Sequence, residues 1–427
     1  MSERKHILVI CFPAFGHYLP MLEFAKKAVQ HHDVTITYSQ ERIPDLQRRN
    51  VLPPAPIQLL PLEDHMHMAL DDGISDLKEL AKMMKSTEIF YPDFCRNLPH
   101  GCNRPVDAVV CDNTFYCAFR SLQENQSLKA YYSFSCFPIT LMVQRSMITE
   151  ELVTVPDEEF FKAKGQMAGV PESIKTLAMN MNESMKYQSE IISSSFEELE
   201  PRAAVLLKVM MKSLNVRFVG PLLPLEEDHP DASVKKWMDG KEDRSVVYFS
   251  FGTVATVSAE QIAVIADALL SLQRPFIWSL RPAQQELLSA DIQRTTDNYL
   301  ILPWVPQKQV LAHKATAIFV SHCGWNSTLE SLSNGIPIVA WPGFGDQIAN
   351  AGLVERLDAG MLVKAGGKEE IIPAKDIVAT IENVAGWNGN TDRCVQVARD
   401  LGNKAMAAIA ADGKSTKNLK EILKEIN

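Results

Sequence analysis

The sequence predicts an α/β protein built of two doubly wound parallel sheets, each with helices on both faces. Three observations carry this. Short apolar runs rich in β-branched and aromatic residues alternate with stretches of helical spacing, the pattern of parallel strands joined by crossover helices. The alternation runs through the first half of the chain and starts again near Ser245. Between the two runs lies Gly220-Pro221-Leu222-Leu223-Pro224-Leu225-Glu226-Glu227-Asp228-His229-Pro230-Asp231, whose prolines and acids cannot continue a helix or a central strand.

Taken in order, residues 6–12 read as a buried strand, and after a turn Leu19, Leu22, Ala25, Ala28 and Val29 recur at helical spacing. Residues 34–38 and 106–111 are further strands. The second run opens with a strand over 245–250 and a helix over about 258–272, followed by strands over 275–280, 317–320 and 338–341. These readings predict a first domain over 1–220, a linker over 221–233, a second domain over 234–405 and a last helix over 406–427. The polar segments 63–84 and 150–172 read as loops and short helices added to the first domain.

A chain of 427 residues, 46% hydrophobic and 22% charged, can bury two cores. A net charge of −9 and the lack of any Lys/Arg run argue against a phosphate-backbone track, so nucleic acid is not an expected partner. The first apolar run is too short for the core of a signal peptide and no stretch spans a bilayer, so a cytoplasmic location is expected. The eight cysteines, without CxxC or zinc-ligand spacing, read as reduced packed thiols. His65-Met66-His67 has no third ligand nearby, and no metal site is expected.

Two groups of residues carry chemistry. The first runs from Trp304 to Gln347. Strand 317–320 leads through Ser321-His322-Cys323-Gly324 into a helix whose first turn holds Trp325, Asn326, Ser327 and Thr328. Free N–H groups and the positive dipole end make this an anion site. His322, Asn326 and Ser327 supply side-chain donors suited to a diphosphate, Glu330 suits a ribose diol, and Trp304 offers a flat face to a base. An ordinary helix cap explains a single Asn or Ser here equally well. The second group is His17, on the turn after the first strand, and Asp112, at the carboxyl end of a neighbouring strand. Doubly wound sheets bind ligands at those strand ends. A His–Asp pair there is a general base with its orienting carboxylate, although a structural His and a helix-capping Asp are the simpler reading of each alone.

The stretch from Trp304 to Gln347 resembles, in length and in its many fixed residue types, the C-terminal signature box of the family 1 UDP-glycosyltransferases of plant secondary metabolism. The resemblance implies the GT-B fold, two Rossmann-like domains facing across a cleft, with acceptor in the first, UDP-sugar in the second, and residues 406–427 returning to the first. It implies that Trp304 stacks on uracil, with Val305 reading the base edge and Gln307 and Glu330 holding the ribose. His322, Trp325 through its backbone N–H, Asn326 and Ser327 would hold the diphosphate, and Asp346 and Gln347 the sugar, with glucose favoured over galactose. Phe249-Ser250-Phe251-Gly252-Thr253 resembles the family's Gly-bearing turn, where Ser250 and Thr253 can reach a phosphate or simply cap the turn.

The family carries a His and an Asp where His17 and Asp112 stand, which implies a base and its partner. Phe15, bulky where the family is often small or polar, is expected to narrow the acceptor pocket, and Ser133 to touch the sugar. The expected activity is inverting, metal-independent transfer of a sugar from a UDP-sugar to a hydroxyl of a small hydrophobic aromatic acceptor such as a flavonoid, by a monomer without a cofactor. The chain lacks any DxD, the paired carboxylates with which glycosyltransferases hold a divalent metal. No GxGxxG follows either first strand, which argues against a nicotinamide dehydrogenase. A UDP-sugar-binding protein and a UDP-sugar epimerase of the same fold remain as alternatives.

Overall fold

The computed structural model describes residues 4–64, 77–98, 105–149, 172–223, 230–252, 257–289, 292, 295–343, 345–363, 371–389 and 392–426. His65, His67, Thr253, most of the two added polar segments and residues 224–229 of the expected linker lie outside the described residues. The chain divides into two compact units. One gathers Met1–Leu70, Asp76–Pro224 and Ala407–Asn427, and the other centres on Leu225–Met406.

In the first unit the described strands are β1 (His6–Ile10), β2 (Asp33–Ser39), β3 (Gln58–Leu62), β4 (Ala108–Asp112), β5 (Ala130–Ser135), β6 (Glu190–Ser193) and β7 (Asn215–Phe218). They form one parallel sheet in the order β3-β2-β1-β4-β5-β6-β7. β1 and β4 are buried at every residue, which is why they read as continuous apolar runs. β3 carries Pro61 and is half exposed, and β7, Asn-Val-Arg-Phe, is half polar and buried only at Phe218. Both are edge strands whose composition hides them from a periodicity reading. Ile7, Val9, Val110 and Phe134 on one face pack with Tyr18, Met21, Leu22 and Phe24 of the helix Phe15–Ala28.

The last helix, Lys414–Glu425, closes this core. Leu419, Ile422, Leu423 and Ile426 recur at helical spacing and join the same cluster. Buried His32, its imidazole held below its ordinary pKa by desolvation, donates Nε2–H to the carbonyl of Leu423 at 2.7 Å. Asn418 donates to the carbonyl of Phe218 at 2.8 Å, and Arg217 of β7 pairs with Glu425 at 3.0 Å.

On the opposite face, the helix Ile139–Thr149 starts against a buried carboxylate. Glu200 accepts from the backbone N–H of Thr140 at 2.7 Å and from its hydroxyl at 2.9 Å. Burial nevertheless pushes its pKa up to about 7, these hydrogen bonds opposing the shift. A carboxyl that binds its proton more tightly folded than unfolded makes the fold lose stability as pH rises from about 4 to about 7, by on the order of 3 kcal/mol. Glu200→Gln keeps the acceptor and removes the charge. The variant should therefore gain stability relative to wild type between pH 5 and pH 8, read from urea midpoints at the two values. The same difference at both would show that Glu200 does not titrate in this range.

In the second unit the described strands are β8 (Val246–Ser250), β9 (Phe276–Ser279), β10 (Tyr299–Leu302), β11 (Thr316–Ser321), β12 (Ile338–Ala340) and β13 (Gly360–Leu362). They are parallel, in the order β10-β9-β8-β11-β12-β13. Phe249, Trp278 and Val320 anchor one face against Ile262, Ile265 and Leu269 of the helix Ala259–Ser271. That helix starts at Ser258, whose hydroxyl accepts the N–H of Gln261 at 3.2 Å. Among the described residues no helix is long and apolar enough to cross a membrane.

Candidate functional site

Strand order locates a candidate site in each unit. In the first sheet the chain runs outward from β1 through β2 to β3, then returns to the other side of β1 with β4. In the second it does the same at β8, with β11 on its other side. The loops leaving such a pair of adjacent strands part to opposite faces and open a crevice at the strands' carboxyl ends.

At the first crevice stand His17 and Asp112. His17 lies in the first turn of the helix that follows β1, and Asp112 is the last residue of β4. Nδ1 of His17 donates to Oδ2 of Asp112 at 2.8 Å. Asp112 is fully buried, and its Oδ1 accepts the backbone N–H of Thr114 at 2.9 Å. The ring sits against Phe12 at 5.0 Å and meets the edge of Phe137 at 4.9 Å. With Nδ1–H committed to the carboxylate, the lone pair lies on Nε2, the nitrogen on the far side of the ring. This arrangement can take a proton at Nε2 while Asp112 stabilises the resulting imidazolium. Cys136, just beyond β5, places its Sγ 3.8 Å from the same Oδ2.

The structure does not bring the other two residues expected near the acceptor to this pair. Phe15 packs on the sheet core, and the guanidinium of Arg49 covers its ring at 3.9 Å, so it faces packing rather than open space. Ser133 pairs with Cys111 in the ladder, one residue out of step with Asp112, and therefore points to the opposite face of the sheet. It is buried there, its hydroxyl without a hydrogen-bond partner.

At the second crevice β11 ends in Ser321, and His322-Cys323-Gly324 leads into the helix Trp325–Ser333, which opens at Gly324 without a side-chain cap. Cys323 adopts φ +62, a left-handed conformation uncommon for a residue with a Cβ. Ser321 and Asn350 hold it there. The hydroxyl of Ser321 accepts the N–H of Cys323 at 3.1 Å, and Nδ2 of Asn350 donates to its carbonyl at 2.9 Å. The imidazole of His322 passes between Gly252 and Gly324, where a Cβ would stand 2.7 Å and 2.6 Å from the ring. Both glycines are therefore required by close approach, and Gly252 also by its φ of +70. Burial lowers the pKa of His322 to about 4, so the ring is neutral at pH 7 and can act only as an uncharged donor or acceptor. The hydroxyl of Ser250 accepts the N–H of Gly252 at 3.3 Å, which is the turn-capping role.

Trp304 exposes half its surface in the loop after β10, while the adjacent Val305 is buried in the core. Gln307 is oriented on both sides of its amide. Its oxygen accepts from the hydroxyl of Tyr248 at 3.1 Å, and its nitrogen donates to Glu330 at 2.7 Å and to Ser327 at 3.1 Å. Asp346 and Gln347 open the helix Asp346–Arg356. Asn350, one turn on, donates to Oδ2 of Asp346 at 2.8 Å, so a single buried amide ties Asp346 to the His322–Gly324 loop. The side-chain oxygen of Gln347 accepts the N–H of Gly343 at 2.9 Å, which directs its NH2 the other way.

Sequence reasoning passed over Tyr248, Asn350 and Thr114. Tyr248 lies within an apolar strand and is indistinguishable there from core. Asn350 left a signal, four residues after Asp346 and hence on the same helical face.

The family model of UDP-glucoronosyl and UDP-glucosyl transferases matches residues 161–386. An anthocyanidin 3-O-galactosyltransferase of Rhododendron delavayi is 36% identical over 57% of this chain and 53% of its own length. An anthocyanidin 3-O-glucosyltransferase of Gentiana triflora is 36% identical over 60% of this chain and 56% of its own. The chain thus spans about half the length of these relatives in the aligned part. A crystal structure of Os79 from O. sativa, in complex with U2F and trichothecene, superposes with a TM-score of 0.83 at 25% identity, over 99% of this chain and 100% of that one.

Proposed function

Because the chain belongs to the family of UDP-glucoronosyl and UDP-glucosyl transferases, in its plant branch, and has the GT-B fold, we propose that it transfers a sugar, glucose by preference, from a UDP-sugar to a hydroxyl of a small aromatic acceptor. The observation that carries this reading is the 2.8 Å bond from Nδ1 of His17 to buried Asp112, which leaves Nε2 able to take the acceptor's proton. The named relatives act on anthocyanidins, and a flavonoid or similar phenol is the acceptor class proposed here.

The acceptor oxygen, relieved of its proton by Nε2 of His17, attacks the anomeric carbon from the face opposite the diphosphate. The bond from that carbon to the departing UDP oxygen breaks, and the configuration inverts. Charge on the leaving diphosphate is met by the N–H groups opening the helix Trp325–Ser333, by Asn326 and Ser327, and by neutral His322. Trp304 and Val305 hold the base, and Gln307 and Glu330 the ribose. With no DxD in the chain, the step is proposed to need no divalent metal. Incubation of the EDTA-treated protein with UDP-glucose and a panel of phenols, read by product mass and by the anomeric configuration of the glycoside, tests the whole reading. No glycoside from any phenol, activity that returns only with Mg2+ or Mn2+, or a retained configuration would each overturn the corresponding part.

Donor choice rests on Asp346 and Gln347. The relatives named for galactose and for glucose are equally similar to this chain, so overall likeness does not decide between the sugars. Gln347 directs an NH2 donor and Asp346 an acceptor carboxylate, a pairing suited to adjacent equatorial hydroxyls. Turning one hydroxyl axial leaves a buried polar group unpaired, at a cost of about 1–3 kcal/mol. A ten- to hundredfold preference for UDP-glucose over UDP-galactose, roughly, is expected in direct competition. Gln347→His replaces the amide by a ring with differently placed donors and should shrink that preference. Equal use of both donors by the wild type would remove Asp346 and Gln347 from this role.

A further inference from the structure

We propose that a thiophilic divalent cation of the Zn2+ class binds between His17, Asp112 and Cys136 and arrests the transfer reaction. The proposal rests on His17 serving as the base, as argued above. Among the described residues these three form the one group of His, Cys, Asp and Glu side chains whose donor atoms all lie within 4.8 Å of one another. They come from three different elements: the helix after β1, the end of β4 and the turn after β5. Nδ1 of His17 is 2.8 Å and Sγ of Cys136 is 3.8 Å from the same carboxylate oxygen. A tetrahedral Zn2+ with bonds of about 2.0–2.3 Å separates its ligand atoms by about 3.3–3.6 Å. Small rotations of His17 and Cys136 therefore convert the existing contacts into a coordination shell, with water as the fourth ligand. One nitrogen, one carboxylate and one sulfur is a donor set that selects Zn2+ over Mg2+ or Ca2+. The side chain of His17 is 12% exposed, which gives an ion a way in, while Cys136 is buried behind it.

The proton balance explains why such an ion inhibits. On binding, the thiol of Cys136 becomes a thiolate bonded to the metal and its proton leaves to solvent. Asp112 exchanges the hydrogen bond from His17 for a bond to the metal. The metal takes the lone pair of Nδ1, so the proton formerly on Nδ1 moves through solvent to Nε2. The ring then presents N–H where the acceptor needs a lone pair, and deprotonation of the acceptor stops. No redox change occurs, and the nucleotide-binding residues of the other unit are untouched.

The test uses the metal-free full chain. Zn2+ binding is measured by calorimetry, Co2+ binding by absorption, and turnover with UDP-glucose and a phenol in parallel, for wild type, Cys136→Ala and the volume-conserving Cys136→Val. The expected result is one Zn2+ per chain, a loss of turnover of at least about tenfold that EDTA reverses, and a thiolate-to-metal charge-transfer band with Co2+. Both variants should keep turnover in EDTA, lose the band and bind Zn2+ at least about tenfold more weakly. Equal affinity in the variants, or a Co2+ complex without the thiolate band, would overturn the site. A thiolate-bound metal that leaves wild-type turnover intact supports the site and instead removes His17 from the role of base, which separates the two claims.

Discussion

His17→Ala is expected to lower turnover by roughly 10²–10⁴-fold while UDP binding stays near that of the wild type. The imidazole is held by Asp112 at 2.8 Å and wedged between the rings of Phe12 and Phe137, so it is oriented before any substrate arrives. Removing it takes away the proposed proton acceptor and leaves the residues proposed to hold UDP, all in the other unit, as they were. The effect should depend on the acceptor. A phenol that is already ionised at the assay pH needs no base, and with it the loss should largely disappear. Calorimetric titration with UDP and turnover with phenols of graded acidity check both statements. An undiminished rate with a neutral, weakly acidic hydroxyl, or an equal loss with every acceptor, would exclude His17 as the base.

Asp112→Asn is expected to cost nearly as much although it barely changes the shape. The reason lies in Thr114, whose backbone N–H points at Oδ1 of Asp112 from 2.9 Å. An asparagine must turn its carbonyl to that N–H, which aims its NH2 at Nδ1 of His17. The imidazole can answer only as an acceptor at Nδ1, so its proton shifts to Nε2 and the lone pair needed there is lost. The same wrong tautomer accounts for losses near 10⁴ in other His–Asp systems, and roughly 10²–10⁴ is expected here. Asp112 acts through His17 and is a positioning residue. Turnover should recover with pre-ionised phenols, and the ring-proton resonances of His17 should report Nε2–H in place of Nδ1–H. A variant with full turnover, or one whose His17 keeps the wild-type tautomer, would contradict this account.

Local chemistry made parts of the molecule legible. β1, β4, β8 and β11 are buried along their length and appear as unbroken apolar runs. The helix Ala259–Ser271 announces itself by its Ser258 cap and its apolar spacing. The residues from Trp304 to Gln347, proposed to hold the donor, were legible as a group because they are close in sequence and keep fixed spacings around one helix start. The edge strands β3 and β7, with proline, charge and half-exposed residues, carry no such signal.

Legible without the fold, then, are which segments are strands with two buried faces, where the helix Trp325–Ser333 opens, and which residue types gather at its start. These depend on a residue and its near neighbours, through backbone hydrogen bonds and the alternation or helical spacing of apolar side chains. Tertiary structure decided the rest. His17 and Asp112 are 95 residues apart and meet only because β4 pairs beside β1 rather than beside β3. The same strand order brings Cys136 to their carboxylate and sets Ser133 on the far face. Tyr248 orients Gln307, and Asn350, which shares a helical face with Asp346, reaches Cys323, across loops that sequence spacing does not relate. Strand order and side-chain orientation come from the joint packing of both faces of a sheet, a global minimisation of exposed apolar surface and unpaired polar groups that no local window of residues contains.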